Sequence, residues 1–310
     1  MISALGVVIP VHGAIEPVLP LLDALLGEGV PDADRPAQVV VVDDASPHPV
    51  DAARLPEGVE FVRREVNGGF GAAVNTGIDH LTTPLALVLN SDLEIPPGFA
   101  RTLVEHAAPW QPAVVGCRNA DHSGRSGYAA RVFPTTAHQV VEWLVPLAGL
   151  RHLDLLHRAV GHDMRAERGH GMVPVDWVSG AVMLLPVAQV RAIGGFDEGY
   201  FMYTEEVDLQ KRLRGQGIPS LYDTDLTVLH VGGASSGGEL RRRRWLVGAR
   251  MRYARKHRSV VALRLGLTAA SAVNLVWQTG RRLAGRDVDP LGAAREELSL
   301  IWTAGRDLPR

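Results

Sequence analysis

The sequence predicts an α/β fold: a sheet of mainly parallel strands with helices on both faces, followed by a helical C-terminal extension. Three observations lead there. Short, unbroken Val/Ile/Leu runs alternate with amphipathic patterns through the first hundred residues, and strands apolar on both faces belong to sheets covered on both sides. Polar residues capable of chemistry fall directly after those runs, where ligands bind in such sheets. Apolar residues make up 46% of the 310 residues against 21% charged, enough for a sizeable core.

In chain order, Leu5–Val11 reads as the first strand, Val18–Leu26 as a helix and Gln38–Val42 as the second strand. Val59–Arg63 is a third strand, and Phe70–Leu81 is a helix entered through Asn67-Gly68-Gly69. Leu85–Asn90 is the fourth strand. Ala113–Cys117 reads as another, Asn119–Thr136 as a Gly/Ser/Asp-rich loop, and Ala137–His157 as helical. Val160–Pro174, rich in Gly and His, reads as loop. A strand at Val175–Leu185 follows, then a short helix, the turn Gly194-Gly195-Phe196-Asp197, a helix at Thr204–Arg214 and a late strand at Leu226–Val231. From Glu239 the pattern is helical to the end.

Composition excludes several classes. One cysteine, Cys117, rules out an internal disulfide framework and a Cys-based zinc site, and fits a reducing, cytoplasmic setting. Gly and Pro follow no short period, and the N-terminus lacks the charged flank and cleavage site of a signal peptide. The net charge of −2 hides an asymmetry, since residues 241–286 hold 13 Lys or Arg and no Asp or Glu. That tract lacks the interleaved aromatics that stacking on bases wants, so nucleic acid is not the expected partner.

Each motif carries two readings. Asp43 and Asp44 close a buried strand; such acids accept hydrogen bonds from a base or ribose, or cap the next turn. Asn67-Gly68-Gly69-Phe70-Gly71, with Asn75, opens a helix whose N-terminus favours negative charge, but has neither dinucleotide-fingerprint nor P-loop spacing. Asn90-Ser91-Asp92 follows an apolar strand, where a carboxylate suits a hard divalent cation or an N-cap. Glu205, Glu206 and Asp208 crowd a helix start beside aromatics; they are dipole partners, or one is a desolvated base. His230 ends the last strand as a structural histidine or a ligand. The six histidines from His122 to His170 have no metal-ligand spacing.

Taken in order, these motifs resemble the family 2 glycosyltransferases of GT-A fold, which have a Rossmann-like nucleotide-binding mixed sheet flanked by helices. The resemblance rests on Val8-Ile9-Pro10-Val11, Val41-Val42-Asp43-Asp44-Ala45-Ser46, Asn67-Gly68-Gly69-Phe70, Asn90-Ser91-Asp92, Ser179-Gly180-Ala181, Gly194-Gly195-Phe196-Asp197-Glu198, Tyr203-Thr204-Glu205-Glu206-Val207-Asp208-Leu209 and His230-Val231-Gly232-Gly233. It covers residues 3–235 and implies a transferase domain at 1–235 with a basic helical extension at 236–310. Within the family the chain looks most like bacterial rhamnosyltransferases of cell-wall and surface-polysaccharide synthesis.

The resemblance implies an inverting enzyme using Mg²⁺ or Mn²⁺, a nucleotide-diphosphate sugar donor and a saccharide or polyprenyl-linked acceptor. It places Asp44, with Asp43, at the pyrimidine base, and Pro10, Val11, Asn67, Gly68, Gly69, Asn75, Asn90, Ser91 and Arg131 around the donor. Asp92 and His230 become metal ligands; the first acid of the metal motif is here the neutral Asn90. Glu206 becomes the base, with Glu205 and Asp208 beside it, and Trp177 and Gly180 meet the acceptor. Rhamnose from dTDP-rhamnose is the expected donor sugar; a UDP-hexose is the alternative, and a protein that binds donor without turnover is the alternative of another class.

Val260–Trp277 is of about the minimum length for a membrane span. Arg264, Thr268, Ser271, Asn274, Gln278 and Arg281 recur along it as a polar stripe opposite Val261, Leu265, Ala269, Ala272 and Val276, which suits an interfacial helix better than a span. The expected contact is the inner face of the cell membrane or a second copy of the chain.

Overall fold

The structure is a computed structural model, and it describes residues 1–150, 152–230 and 238–304. In chain order the elements begin β1 (Ile2–Val11), α1 (Val18–Leu26), β2 (Pro36–Asp43), β3 (Val59–Arg63), α2 (Phe70–His80), β4 (Leu85–Leu89), β5 (Leu93–Glu94), α3 (Phe99–Ala107) and β6 (Val114–Ala120). The middle contributes β7 (Ala130–Arg131), α4 (Thr136–Trp143), α5 (Asp154–Ala159), α6 (Met164–Glu167), β8 (Met172–Val175), β9 (Trp177–Val178) and β10 (Val182–Pro186). Then come α7 (Val187–Ala192), α8 (Glu205–Gly215), β11 (Ser220–His230), α9 (Glu239–His257), α10 (Val260–Leu283) and α11 (Pro290–Thr303).

The chain divides into two compact units. The first holds Met1–Arg131 and the segment from Arg165 through β11. Its nine-stranded sheet runs β3-β2-β1-β4-β10-β6-β11-β5, with β8 also paired to β11. β3, β2, β1 and β4 are mutually parallel, as the apolar runs require. Alternate residues go to opposite cores: Val7, Ile9, Val39 and Val41 face one cluster, while Val8, Val40 and Val42 face the other. α1 covers the first face with Val18, Leu21, Leu22 and Leu25, and α2 the second with Ala73, Val74 and Ile78.

The far half of the sheet is mixed, because β10 runs antiparallel to both β4 and β6. The expected single strand at Val175–Leu185 is three pieces. Gln210, fully buried on α8, accepts from Val178 N (2.8 Å) and donates to Val178 O (2.8 Å), so a side chain takes the bonds a neighbouring strand would have made. The expected loop at 119–136 contains β7, which pairs with β9. Val231-Gly232-Gly233 of the last motif, and the boundary expected at 235/236, lie outside the described residues.

The second unit joins Val132–Met164 to the C-terminal helices, where the sequence reading assigned 132–164 to the transferase domain. The reason is packing: Val140 and Trp143 sit against the cluster of Val247, Met251, Leu263, Leu267, Leu300 and Ile301. α4 and α10 touch closely enough that a Cβ on Gly266 would lie 2.7 Å from Val140 Cγ2.

Candidate active site

The site grows from the carboxyl ends of β2 and β4. β4 stops at Leu89, but Asn90 N still donates to Ala181 O (3.0 Å), which fixes the Asn90-Ser91-Asp92 turn against the segment entering β10. β5 then pairs with the end of β11, Leu93 opposite His230. That register sets Asp92 Oδ1 3.1 Å from His230 Nε2, with Asn90 Nδ2 3.5 Å from the same nitrogen. Ser91 lies half-buried between them.

This donor set is thin. Among the described residues no three His, Cys, Asp or Glu side chains gather as a metal-holding group. A carboxylate and an imidazole, with an amide oxygen available on Asn90, fit Mg²⁺ or Mn²⁺ when an anionic ligand completes the oxygen shell.

At the end of β2 the two aspartates are heavily engaged. Asp43 is fully buried, accepts from Ser46 N (2.9 Å) and pairs with Arg63. Burial alone would raise its carboxyl; the Ser46 and Arg63 hydrogen bonds outweigh that and hold it below the ordinary range. Asp44 accepts from Gly68 N (3.0 Å) and Gly69 N (2.7 Å), and its Oδ1 forms an ion pair with Arg64, whose Nε lies 2.9 Å away. Two of a carboxylate's roughly four acceptor positions are thus taken by backbone. The pair ties β2 to the glycine loop and leaves Asp44 acceptor capacity for a ligand.

His12, just past Pro10 and Val11, completes this corner: its Nδ1 lies 3.0 Å from Asp44 O, and Asn67 Nδ2 lies 3.3 Å from the ring nitrogens.

The third part is the start of α8. Tyr203 and Thr204 both hold φ of +71°, a costly backbone for residues with a Cβ. The turn they make is gripped by the glycine loop, since Gly69 (φ +83°) approaches so closely that a Cβ there would sit 1.7 Å from Phe201 O. Glu205 and Glu206 follow. Oε2 of each is buried and accepts no hydrogen bond. Burial pushes the Glu205 carboxyl well above the ordinary range, and the Glu206 charge adds to it. Burial raises Glu206 as well, but Arg131 pulls it back. Glu205 is almost entirely enclosed, whereas Glu206 keeps some exposure.

The remaining expected residues gather around Glu206. A Cβ on Gly180 would lie 3.8 Å from Glu206 Cβ. Arg131 and Trp177 face each other across β7 and β9, the guanidinium 5.6 Å from the ring centroid.

Two expected residues have other employment. Asp208 is fully buried and pairs with Arg212 Nε (2.8 Å), while Nη1 and Nη2 of the same guanidinium donate to Ile193 O and Gly195 O. Its place is in the wall, not beside a substrate. Asn75 accepts from Phe196 N (2.8 Å) and donates to Phe196 O (2.9 Å), clamping α2 to the Gly194-Gly195-Phe196-Asp197 turn.

Sequence reasoning passed over His12, Arg63, Arg64 and Gln210. The adjacent arginines after a strand that ends beside two aspartates were a readable signal. Gln210 gave none.

Residues 6–147 match the model of glycosyl transferase family 2. A curated relative, the N-acetylglucosaminyl-diphospho-decaprenol L-rhamnosyltransferase of Mycobacterium tuberculosis, is 29% identical over 245 residues, 74% of this chain and 78% of the relative. Among solved structures, the mannosyltransferase PcManGT from Pyrobaculum calidifontis, in complex with GDP-Man and Mn²⁺, superposes with a TM-score of 0.55 at 15% identity, covering 98% of this chain and 87% of that one. GalNAc-T7 with UDP, GalNAc and Mn²⁺ gives 0.56 at 14% identity, over 82% of this chain and 48% of that longer one. The mixed sheet flanked by helices is the GT-A fold, and the chain is an enzyme carrying a family 2 glycosyltransferase domain.

Proposed function

We propose that this family 2 glycosyltransferase is an inverting, divalent-cation-dependent enzyme that moves rhamnose from dTDP-rhamnose to a saccharide on a polyprenyl diphosphate carrier. Such a reaction belongs to cell-wall or surface-polysaccharide synthesis at the inner face of the cell membrane. One observation supports the chemistry: the Asp92–His230 pair (3.1 Å) sits at the turn that Asn90 N ties to Ala181 O, and beside Ala181 is Gly180, where a Cβ would lie 3.8 Å from Cβ of Glu206, whose Oε2 is buried and accepts no hydrogen bond. The sugar and the carrier are supported by the likeness to the mycobacterial L-rhamnosyltransferase.

In this reading the acceptor hydroxyl lies against Glu206, beside Trp177 and Gly180. Its oxygen bonds to the anomeric carbon as the bond from that carbon to the diphosphate oxygen breaks. The proton passes to Glu206, and the nucleoside diphosphate leaves with the bonding pair. One displacement inverts the centre. Asp92 and His230, with Asn90, would hold the cation, which supplies positive charge against the leaving diphosphate when bound. Asp44 and His12 shape the base end of the donor site, and Arg131 favours the ionised form of Glu206 against the burial that raises it.

A thermal-shift panel of nucleotide sugars with and without Mn²⁺, followed by nucleotide release on a polyprenyl-diphosphate N-acetylglucosamine acceptor, tests this. The expected result is stabilisation by dTDP-rhamnose with Mn²⁺, and turnover with that donor. Turnover on a UDP-hexose alone replaces the donor assignment, and binding without turnover on any acceptor removes the enzymatic reading of the site.

A further inference from the structure

α10 presents a long apolar face that nothing in its own unit covers. Val261, Leu265, Val276 and Leu283 are 59–85% exposed, and at about 100° per residue they fall within an arc of roughly 60°. No charged residue stands between Arg264 and Arg281. The helix is long and apolar enough to cross a membrane by length and composition, but its opposite side is occupied. There Leu263, Leu267 and Ala270 are buried. Ser271 accepts from Trp143 Nε1 (2.9 Å), and Asn274 donates to Trp143 O (3.0 Å) and Glu297 Oε1 (3.2 Å). The centre of the polar stripe therefore points into the protein, and the apolar stripe points out. A span would drag α4, α11 and the buried Glu297 into hydrocarbon, so α10 is not one.

The rim of the face has the chemistry of a lipid interface. Arg264 lies 5.4 Å over the ring of half-exposed Trp302, whose Nε1 donates to Thr268 Oγ1 (3.3 Å). Exposed Arg282, toward the other end, falls at the same helical angle as Arg264, about 60° outside Val261. Two arginines and a tryptophan ring along one edge of an apolar helix face are arranged as a headgroup layer wants them. Charge chooses between a bilayer and a second copy. A two-fold pair of these faces would bring together two helices whose charged residues are Arg264, Arg281 and Arg282, all of one sign, whereas anionic lipid complements them.

We propose that α10 lies flat on an anionic bilayer, its Val261–Leu283 face entering the boundary between headgroups and acyl chains. This holds whatever donor the enzyme uses, and vesicle binding needs no transfer to be seen.

The test is flotation of the full chain with phosphatidylcholine vesicles containing phosphatidylglycerol, against pure phosphatidylcholine, at low and high salt. Binding should require the anionic lipid and weaken with salt. Leu265→Asp with Val276→Asp, both exposed and so tolerated by the fold, should reduce binding at least ~10-fold with unchanged thermal melting. Arg264→Glu with Arg282→Glu should weaken the preference for anionic lipid. Absence of wild-type flotation on anionic vesicles, or full binding by the aspartate variant, overturns the proposal. So does a wild-type dimer that the aspartate variant converts to monomer while flotation is unaffected, which would make the face a self-interface.

Discussion

Exchanging Glu206 for Gln keeps the shape of the side chain and removes its ability to take a proton. If Glu206 is the base, turnover should fall ~10²- to 10⁴-fold while donor binding and melting temperature stay as they were. The pH profile carries more information than the loss. Burial raises Glu205 and Glu206, and they sit side by side, so the pair gains its protons as a unit. Glu205 is pushed up further by its neighbour's charge, and Arg131 favours the ionised form of Glu206. The pair therefore takes up its first proton above the ordinary carboxylate range, and the remaining charge is what the base needs. The acid limb of kcat/KM should lie above the ordinary carboxylate value.

Arg131→Met removes a cation that favours the ionised form of Glu206, and loss of an opposite charge near a carboxyl moves its titration up. The assay is nucleotide release at saturating and limiting donor between pH 5 and 9, for wild type, Glu206→Gln, Glu205→Gln and Arg131→Met. The expected outcome is a dead Glu206 variant, a Glu205 variant with most of its activity, and an acid limb shifted upward in Arg131→Met. A Glu205→Gln variant that is the inactive one, with normal melting, refutes the assignment. An unmoved acid limb in Arg131→Met refutes the electrostatic account.

Asp92→Ala should cut transfer at least ~100-fold and abolish the added thermal stabilisation that Mn²⁺ gives with donor, since Asn90 beside it is neutral; full activity of this variant in EDTA would dismiss the metal site. Glu205→Gln should stabilise the protein at pH 8 more than at pH 5 in urea melts. A carboxyl raised in the folded state binds its proton more tightly there than when unfolded, so stability falls as pH rises from the unfolded value toward the folded one; equal stabilisation at both pH values would contradict this. Gly69→Ala combines a +83° φ with a Cβ 1.7 Å from Phe201 O and should destabilise by more than ~2 kcal/mol in the same melts. Asn75→Ala strips two bonds from the Phe196 backbone and should cost ~2 kcal/mol, with KM for donor little changed if the residue is only a clamp.

The parallel half of the sheet was legible because burial on both faces leaves one composition for its strands, and Val39–Val42 is that composition in four letters. The break between β9 and β10 was not, because the group completing Val178's hydrogen bonds is Gln210, a residue 32 positions later. The same divide runs through the site. Residue type and order marked Asp92, His230 and Glu206, and the resemblance supplied their roles. Type alone does not separate Asp208 from Glu206, two acids on one helix, but the i,i+4 spacing from Asp208 to Arg212 is a readable signal for an ion pair. What separates them is Arg212 Nε, 2.8 Å from Asp208 and committed to it. Asn75 looked like a donor ligand for the same reason, until Phe196 took both ends of its amide. Local pattern determines elements, and long-range partners determine employment. A catalytic acid or base is a buried group that the rest of the chain has declined to satisfy, so it becomes visible only once every other partner has been assigned. By that criterion Glu205 and Glu206, each with a buried Oε2 that accepts no hydrogen bond, stand apart from Asp43, Asp44 and Asp208, each of which is paired with an arginine.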